Sequence, residues 1–322
     1  MNWLTACWSM RWTDSGYSRA YLYAKKQGRK EERLTAYLYA QKTGQKRGNL
    51  MADRNSPIGV FDSGVGGLTV AREIMRQMPD ERIVYFGDTA RVPYGSKSCS
   101  TVIRFTRQII RFLMTQDVKA IVIACNTATA CALEAVEKEV DIPIVGVIHA
   151  GARTAVESTK NGKIGIIGTE GTIRSGVYTR VMQEMKEDIE VTGKPCPLLV
   201  PLVEEGLLHD SVTDEIASRY LSELKGKYID TLVLGCTHYP LLRSTVGRLM
   251  GPEVTLVNPA YETALELKQI LDEKGLLCGQ ESNVPDKYRF YVSDLAEKFT
   301  SFATSILPGQ VKETKQINIE EY

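Results

Sequence analysis

The sequence predicts an α/β protein of two similar doubly wound domains with mainly parallel sheets and a site in the cleft between them. Three observations carry that reading. Short apolar, β-branched runs alternate with longer stretches of helical period, the grammar of a parallel sheet covered on both faces. Two of these runs end alike, in Ile121-Val122-Ile123-Ala124-Cys125-Asn126-Thr127-Ala128-Thr129 and Leu232-Val233-Leu234-Gly235-Cys236-Thr237-His238-Tyr239-Pro240. The upstream context repeats as well: Ile58-Gly59-Val60-Phe61-Asp62-Ser63-Gly64 is echoed by Ile164-Gly165-Ile166-Ile167-Gly168-Thr169, 67 and 72 residues before the respective cysteine. Each half is therefore expected to deliver one thiol from a strand end, where open α/β sheets bind their ligands.

The elements follow in order. Residues 1–50 hold all three tryptophans, a short repeat (Ala20-Tyr21-Leu22-Tyr23-Ala24 against Ala36-Tyr37-Leu38-Tyr39-Ala40) and ten Lys or Arg against three acidic residues. They read as a basic, poorly ordered extension, with Met51 a plausible start of the regular chain. From Pro57 the pattern predicts strand 58–61, a glycine-rich turn, helix 68–77, strand 82–86, loop 87–97, helix 100–116 and the strand ending at Cys125. Helix 128–139 and strand 144–147 complete the first half. The second half predicts a helix to about 159, strand 164–167, helix 175–185, strand 190–192, a loop, helix 213–224, strand 231–234, helix 241–249 and strand 254–257. Helix 261–274, strand 289–292 and helix 295–307 then return to the first half. The expected domains are thus 51–148 with 258–322, and 149–257.

A chain of 322 residues with 43% hydrophobic content can bury two cores of ordinary size. It contains no apolar run of the roughly 20 residues a membrane helix needs. With 30 basic and 36 acidic residues outside the extension, the body is mildly acidic, which argues against nucleic acid as the main ligand. Seven scattered cysteines and three histidines show no zinc or CxxC spacing, so no metal is expected and a reducing cytoplasm is the expected home.

Asp62-Ser63-Gly64-Val65-Gly66-Gly67 is neither a P-loop nor a dinucleotide fingerprint, since Thr69 stands where the third glycine belongs. It offers either an anion-friendly nest beside a carboxylate or a tight turn with Asp62 as a cap. Val92-Pro93-Tyr94-Gly95 lies in a strand-end loop, and Leu202-Val203-Glu204-Glu205-Gly206 puts two carboxylates after an apolar segment. His238, two positions after Cys236, can tune that thiol, whereas His149 and His209 read as structural or surface residues. Cys131 is expected to face the sheet, and Cys99, Cys196 and Cys278 have no chemical company.

Taken together, Asp62-Ser63-Gly64-Val65-Gly66-Gly67, Pro93-Tyr94-Gly95, Ala124-Cys125-Asn126-Thr127-Ala128-Thr129, Pro201-Leu202-Val203-Glu204 and Leu234-Gly235-Cys236-Thr237-His238-Tyr239-Pro240 resemble the ordered motif set of the glutamate racemases. The match runs from about Pro57 to the C-terminal region, with Asn258 standing where the family often has an acidic residue or serine. The resemblance implies interconversion of L- and D-glutamate without a cofactor, in the cytoplasm, as a homodimer, with D-glutamate supplied for peptidoglycan. It assigns Cys125 and Cys236 as the two bases, Asp62 as the aid to Cys125, and Glu204 and His238 as the aids to Cys236. Substrate is expected on Asp62, Ser63, Tyr94, Gly95, Asn126, Thr127, Thr172, Thr237 and His238. A carboxylate by itself raises a thiol's pKa, so Asp62 and Glu204 are expected to accept protons or position the thiols, whereas a protonated His238 would favour thiolate. Two other readings stand beside it: a racemase of aspartate or another amino acid, and a two-lobed amino-acid-binding protein without activity.

Overall fold

The computed structural model describes residues 53–279 and 286–322; the basic extension and its tyrosine repeat lie outside them. Among the described residues, ten strands form two all-parallel sheets. The first has six strands: β1 (Ile58–Asp62), β2 (Ile83–Gly87), β3 (Ala120–Ile123), β4 (Ile144–Gly146), β9 (Tyr288–Val292) and β10 (Thr314–Gln316), in the order β10-β9-β2-β1-β3-β4. The second has four, β5 (Lys163–Gly168), β6 (Glu190–Pro195), β7 (Thr231–Gly235) and β8 (Thr255–Val257), in the order β6-β5-β7-β8. The order β2-β1-β3-β4 is repeated as β6-β5-β7-β8, so the echo between Ile58 and Ile164 is a structural repeat. In each sheet the chain leaves the first strand on one side and returns on the other, which opens a crevice at the C-terminal ends of β1 and β3, and of β5 and β7.

Period-two alternation explains why the strands read as continuous apolar runs. In the first sheet Ile58, Val60, Ile83, Tyr85, Ala120 and Val122 enter one core, packed under Leu267 and Leu271 of α10 (Pro259–Glu273) and Phe299 of α11 (Ala296–Ile306). Phe61, Val84, Phe86, Ile121 and Ile123 enter the opposite core, under α2 (Cys99–Thr115) and α3 (Asn126–Val136). Both faces are dry, so alternation of polar and apolar residues is lost. The second sheet divides likewise, with Ile167, Leu232 and Leu234 on one face and Ile164, Ile166 and Val233 on the other. Asn258 caps α10 by accepting from the Ala260 amide at 3.2 Å.

Four expectations are corrected. The stretch between strand 164–167 and helix 175–185, expected without an element, contains α5 (Glu170–Ser175), which Gly176, with φ 67°, a left-handed value that suits glycine, separates from the expected helix, α6 (Val177–Met185). The stretch expected as loop before residue 213 contains α7 (Leu199–Glu204), and β10 was not expected. The helix expected from 241 opens as a 3-10 turn (Tyr239–Leu242), in which the Leu241 amide donates to the His238 carbonyl three residues back, before α9 (Arg243–Met250). Finally, Cys99 and Cys131, expected without a partner and against the sheet respectively, form a disulfide with their Cα atoms 5.0 Å apart, because α2 and α3 lie side by side on one core. Among the described residues no helix is long and apolar enough to cross a membrane.

Candidate active site

The two crevices face each other across one cavity of about 490 Å³, lined among others by Ser63, Tyr94, Gly95, Cys125, Asn126, Thr127, Glu204, Cys236, Thr237 and His238. Cys125 follows β3 and caps α3, its sulfur accepting from the Ala128 amide at 3.4 Å and lying 3.6 Å from Ser63 Oγ. Burial, then the charge of Asp62, pushes its thiol up to about 12. Cys125 therefore rests protonated. Cys236 follows β7, with its sulfur 3.7 Å from His238 Nδ1. On its other side His238 Nε2 lies 3.1 Å from Glu204 Oε1, at the last residue of α7.

The His238 environment contains opposing effects. Burial pushes the imidazole pKa down, but hydrogen bonds to Cys236 and Glu204, with the charges of Cys236 and Asp62, push it up to about 10. The hydrogen bond from His238 likewise holds the Glu204 carboxyl below its usual range. An imidazolium donating to a carboxylate at Nε2 and facing a sulfur at Nδ1 stabilises negative charge on that sulfur. The two thiols thus sit in unlike surroundings: one beside a carboxylate, the other against a cation.

Asp62 ends β1 and is fully buried behind the cavity wall. The amides of the glycine-rich turn answer the nest expected from sequence, yet the anion they serve is Asp62 itself: Gly64 N donates to Oδ2 at 3.1 Å, and Ser63 and Gly67 contribute too. Burial outweighs these bonds and the charge of His238, so the carboxyl is raised above its ordinary range. The same turn brings the lobes together. Thr69 Oγ1 donates to the Thr237 carbonyl at 2.9 Å, and Thr237 Oγ1 lies 3.5 Å from Asp62 Oδ1. A Cβ on Gly66 would come within 2.4 Å of Thr237 Oγ1 and 2.5 Å of His238 Nδ1. Gly66→Ala is therefore expected to lower kcat about ten-fold by moving His238. Unchanged kinetics in a folded Gly66→Ala protein would show that the close approach is dispensable.

Of the other expected residues, Thr127 and Thr172 meet Thr169 in a cluster of hydroxyls bridging the lobes, at 2.8 Å (Thr127 to Thr169), 3.2 Å (Thr127 to Thr172) and 3.0 Å (Thr169 to Thr172). Thr172 supports the wall from behind. Tyr94 lines the cavity, but its hydroxyl is committed to the Asp88 carboxylate, which leaves the loop's backbone to face a ligand. Gly95 packs against Thr169 and accepts from the Gly171 amide at 2.9 Å, again across the lobes. His149 and His209 are exposed, as expected. Cys196 and Cys278 carry no disulfide.

Three residues complete the site that sequence reasoning missed. Thr169 stands at the end of β5, the counterpart of the β1 turn, and the internal repeat was a signal for it. Tyr178 donates to Asn126 Oδ1 at 2.8 Å and fixes that amide's orientation from the other lobe, 52 residues away. Asp88 is fully buried after β2, held by Arg91 Nε at 2.8 Å and Ser293 Oγ at 2.9 Å while it accepts from Tyr94.

Two doubly wound lobes meeting over one cavity, each presenting a free cysteine from a strand end, have the architecture of a two-lobed racemase. A family profile described as Asp/Glu/Hydantoin racemase matches residues 58–266. Glutamate racemase from Geobacter metallireducens is 47% identical over 263 residues, 82% of this chain and 97% of its own. Among solved structures, a glutamate racemase isoform from Bacillus anthracis superposes with a TM-score of 0.78 at 43% identity, covering 82% of this chain and 98% of its own. The glutamate racemase of Francisella tularensis, in complex with D-glutamate, gives 0.77 at 38% identity, covering 84% and 100%. The chain belongs to the Asp/Glu/Hydantoin racemase family and is an isomerase.

Proposed function

We propose that the chain interconverts L- and D-glutamate by a two-base mechanism in which Cys125 and Cys236 work from opposite faces of the substrate. The observation that carries this reading is that one cavity is lined by two thiols, one from each lobe. Inverting an α-carbon requires one group to remove the hydrogen and another to return a proton on the far side. Both groups must be present at once, in opposite protonation states. The unlike surroundings of the two sulfurs supply that asymmetry.

In the resting state Cys125 holds its proton, and Cys236, facing the His238 imidazolium, is placed to act as the first base. Cys236 takes the α-hydrogen and Cys125 delivers its proton to the opposite face, leaving the pair reversed. Asp62 is placed to receive charge relayed from the Cys125 side, its raised carboxyl making it a competent proton partner. Asn126, held by Tyr178, and the hydroxyls of Ser63, Thr127 and Thr237 are donors for the carboxylates, where negative charge builds during proton removal. The backbone of Tyr94 and Gly95 bounds the cavity on the side of the loop 87–98 and is suited to the side-chain carboxylate. D-glutamate made this way would serve cell-wall peptidoglycan.

The test is to follow the circular dichroism of D-glutamate, and separately of D-aspartate, with purified protein. Decay of the glutamate signal to zero is expected. A protein that leaves D-glutamate unchanged but racemises D-aspartate would replace the substrate, and one that changes neither would overturn the reading.

A further inference from the structure

Cys99 and Cys131 are joined by a disulfide, and neither lines the cavity. Their positions nevertheless connect two of its walls. Cys99 is the first residue of α2 and follows directly on the loop whose residues Val92, Pro93, Tyr94, Gly95 and Ser96 face the cavity. Cys131 lies in α3, the helix capped by Cys125 and opened by Asn126 and Thr127. The bond joins residues 32 apart in sequence, and the loop it closes contains the strand between the two walls. The Cα separation of 5.0 Å lies within the range two cysteines can bridge without backbone movement.

Access differs between the two. Cys99 is exposed and Cys131 half-buried. An exposed sulfur beside a shielded one is the arrangement of an attacking and a resolving cysteine.

We propose that Cys99 and Cys131 are a reversible redox modification site, closed by small-molecule disulfides and opened by dithiols, that sets how firmly the Tyr94 loop and the start of α3 grip the substrate. In the closing reaction the Cys99 thiolate attacks one sulfur of the incoming disulfide, forming a mixed disulfide and releasing one thiol. The Cys131 thiolate then attacks the Cys99 sulfur and expels the second. Two cysteine thiols are oxidised, one external disulfide is reduced to two thiols, and the cysteine protons end on the departing sulfurs. Opening by a dithiol is the reverse.

With the bond closed, the two walls are tied at a point outside the cavity and lose relative freedom. With it open, ordering them falls to the substrate, which raises KM and leaves the reacting groups in place. The kinetic consequence rests on the racemase reading above; the thiol chemistry does not.

The experiment uses the full chain, equilibrated with glutathione disulfide or with dithiothreitol, alkylated, digested and weighed. The oxidised sample is expected to yield the Cys99 and Cys131 peptides linked, and the reduced sample to yield both alkylated. KM for glutamate is expected about three-fold lower in the closed form, and Cys99→Ser and Cys131→Ser to show the open-form KM under both conditions. Absence of the linked peptide overturns the site, as does an equal KM in both states, or a difference that persists in both serine variants. Linkage in a protein that does not racemise glutamate would instead overturn the functional reading and uphold the thiol chemistry. Cys99 is exposed, so Cys99→Ser keeps the test available if Cys131→Ser disturbs packing.

Discussion

Cys125→Ala and Cys236→Ala are each expected to lose racemisation by roughly 10³-fold or more, the upper part of what a positioned acid or base contributes. Loss of rate alone would not separate a two-base enzyme from other arrangements, so hydrogen exchange is the sharper readout. In deuterated water each single variant keeps one base, able to remove the α-hydrogen from one face and return deuterium to the same face. Cys125→Ala is therefore expected to exchange the α-hydrogen of one enantiomer only, Cys236→Ala that of the other, and the double variant neither. Proton NMR of each glutamate enantiomer measures this directly. If both variants exchanged the same enantiomer, the thiols would not stand on opposite faces. If the double variant racemised, they would not be the bases. Retained glutamate binding together with no exchange in the wild type would favour a binding protein.

The two cavity thiols were legible in the sequence because the signal for them is local. A β-branched run followed by a thiol and small polar residues marks the end of a buried strand whatever surrounds it, and its recurrence 111 residues later, from Cys125 to Cys236, marks a repeat. Asp62 was legible for the same reason, at the end of the strand heading the first repeat. Glu204 was placed in a loop, although it ends α7: six residues are too few for a helical period, and Pro201 in the first turn disguises the rest. The committed hydroxyl of Tyr94, the clamp of Tyr178 on Asn126 and the Cys99–Cys131 bond were not legible at all. Each depends on how two elements distant in sequence lie against one another, which hydrophobic periodicity does not encode.

The spatial arrangement also explains why the site needs glycines where the sequence suggested an anion nest. Gly67 passes so close to Asp62 that a Cβ would sit 2.4 Å from the Asp62 Cβ, and Gly66 approaches the second lobe just as closely. The turn's backbone is pressed between Asp62 on one side and Thr237 and His238 on the other. Its amides solvate the buried carboxyl from within, and its missing side chains let His238 reach Cys236. Asp62 is thus linked to both thiols, raising the pKa of Cys125 and supporting the charge of His238.

His238→Asn is expected to reduce kcat by roughly 10²-fold, because the sulfur of Cys236 would lose the imidazolium that faces it and would offset charge developing there. The pH dependence fixes the sign. The folded imidazole is raised from its ordinary 6.5 to about 10, so it stays protonated where the unfolded chain has released its proton. Its contribution to stability is fully present below the unfolded value of 6.5 and is lost as pH rises toward and through about 10. Thermal unfolding should therefore show the wild type losing stability over that interval relative to His238→Asn, the gap between their Tm values closing as pH rises. Activity should fall on the same alkaline side as the imidazolium is lost, a limb that His238→Asn should lack. Glu204→Gln removes the carboxylate from Nε2, and is expected to move the wild-type alkaline limb to lower pH, since a neutral amide supports the imidazolium less well than the carboxylate does. A limb that stays in place in Glu204→Gln, or a Tm gap independent of pH, would mean that His238 is neutral in the folded protein and serves Cys236 as a hydrogen-bond partner only.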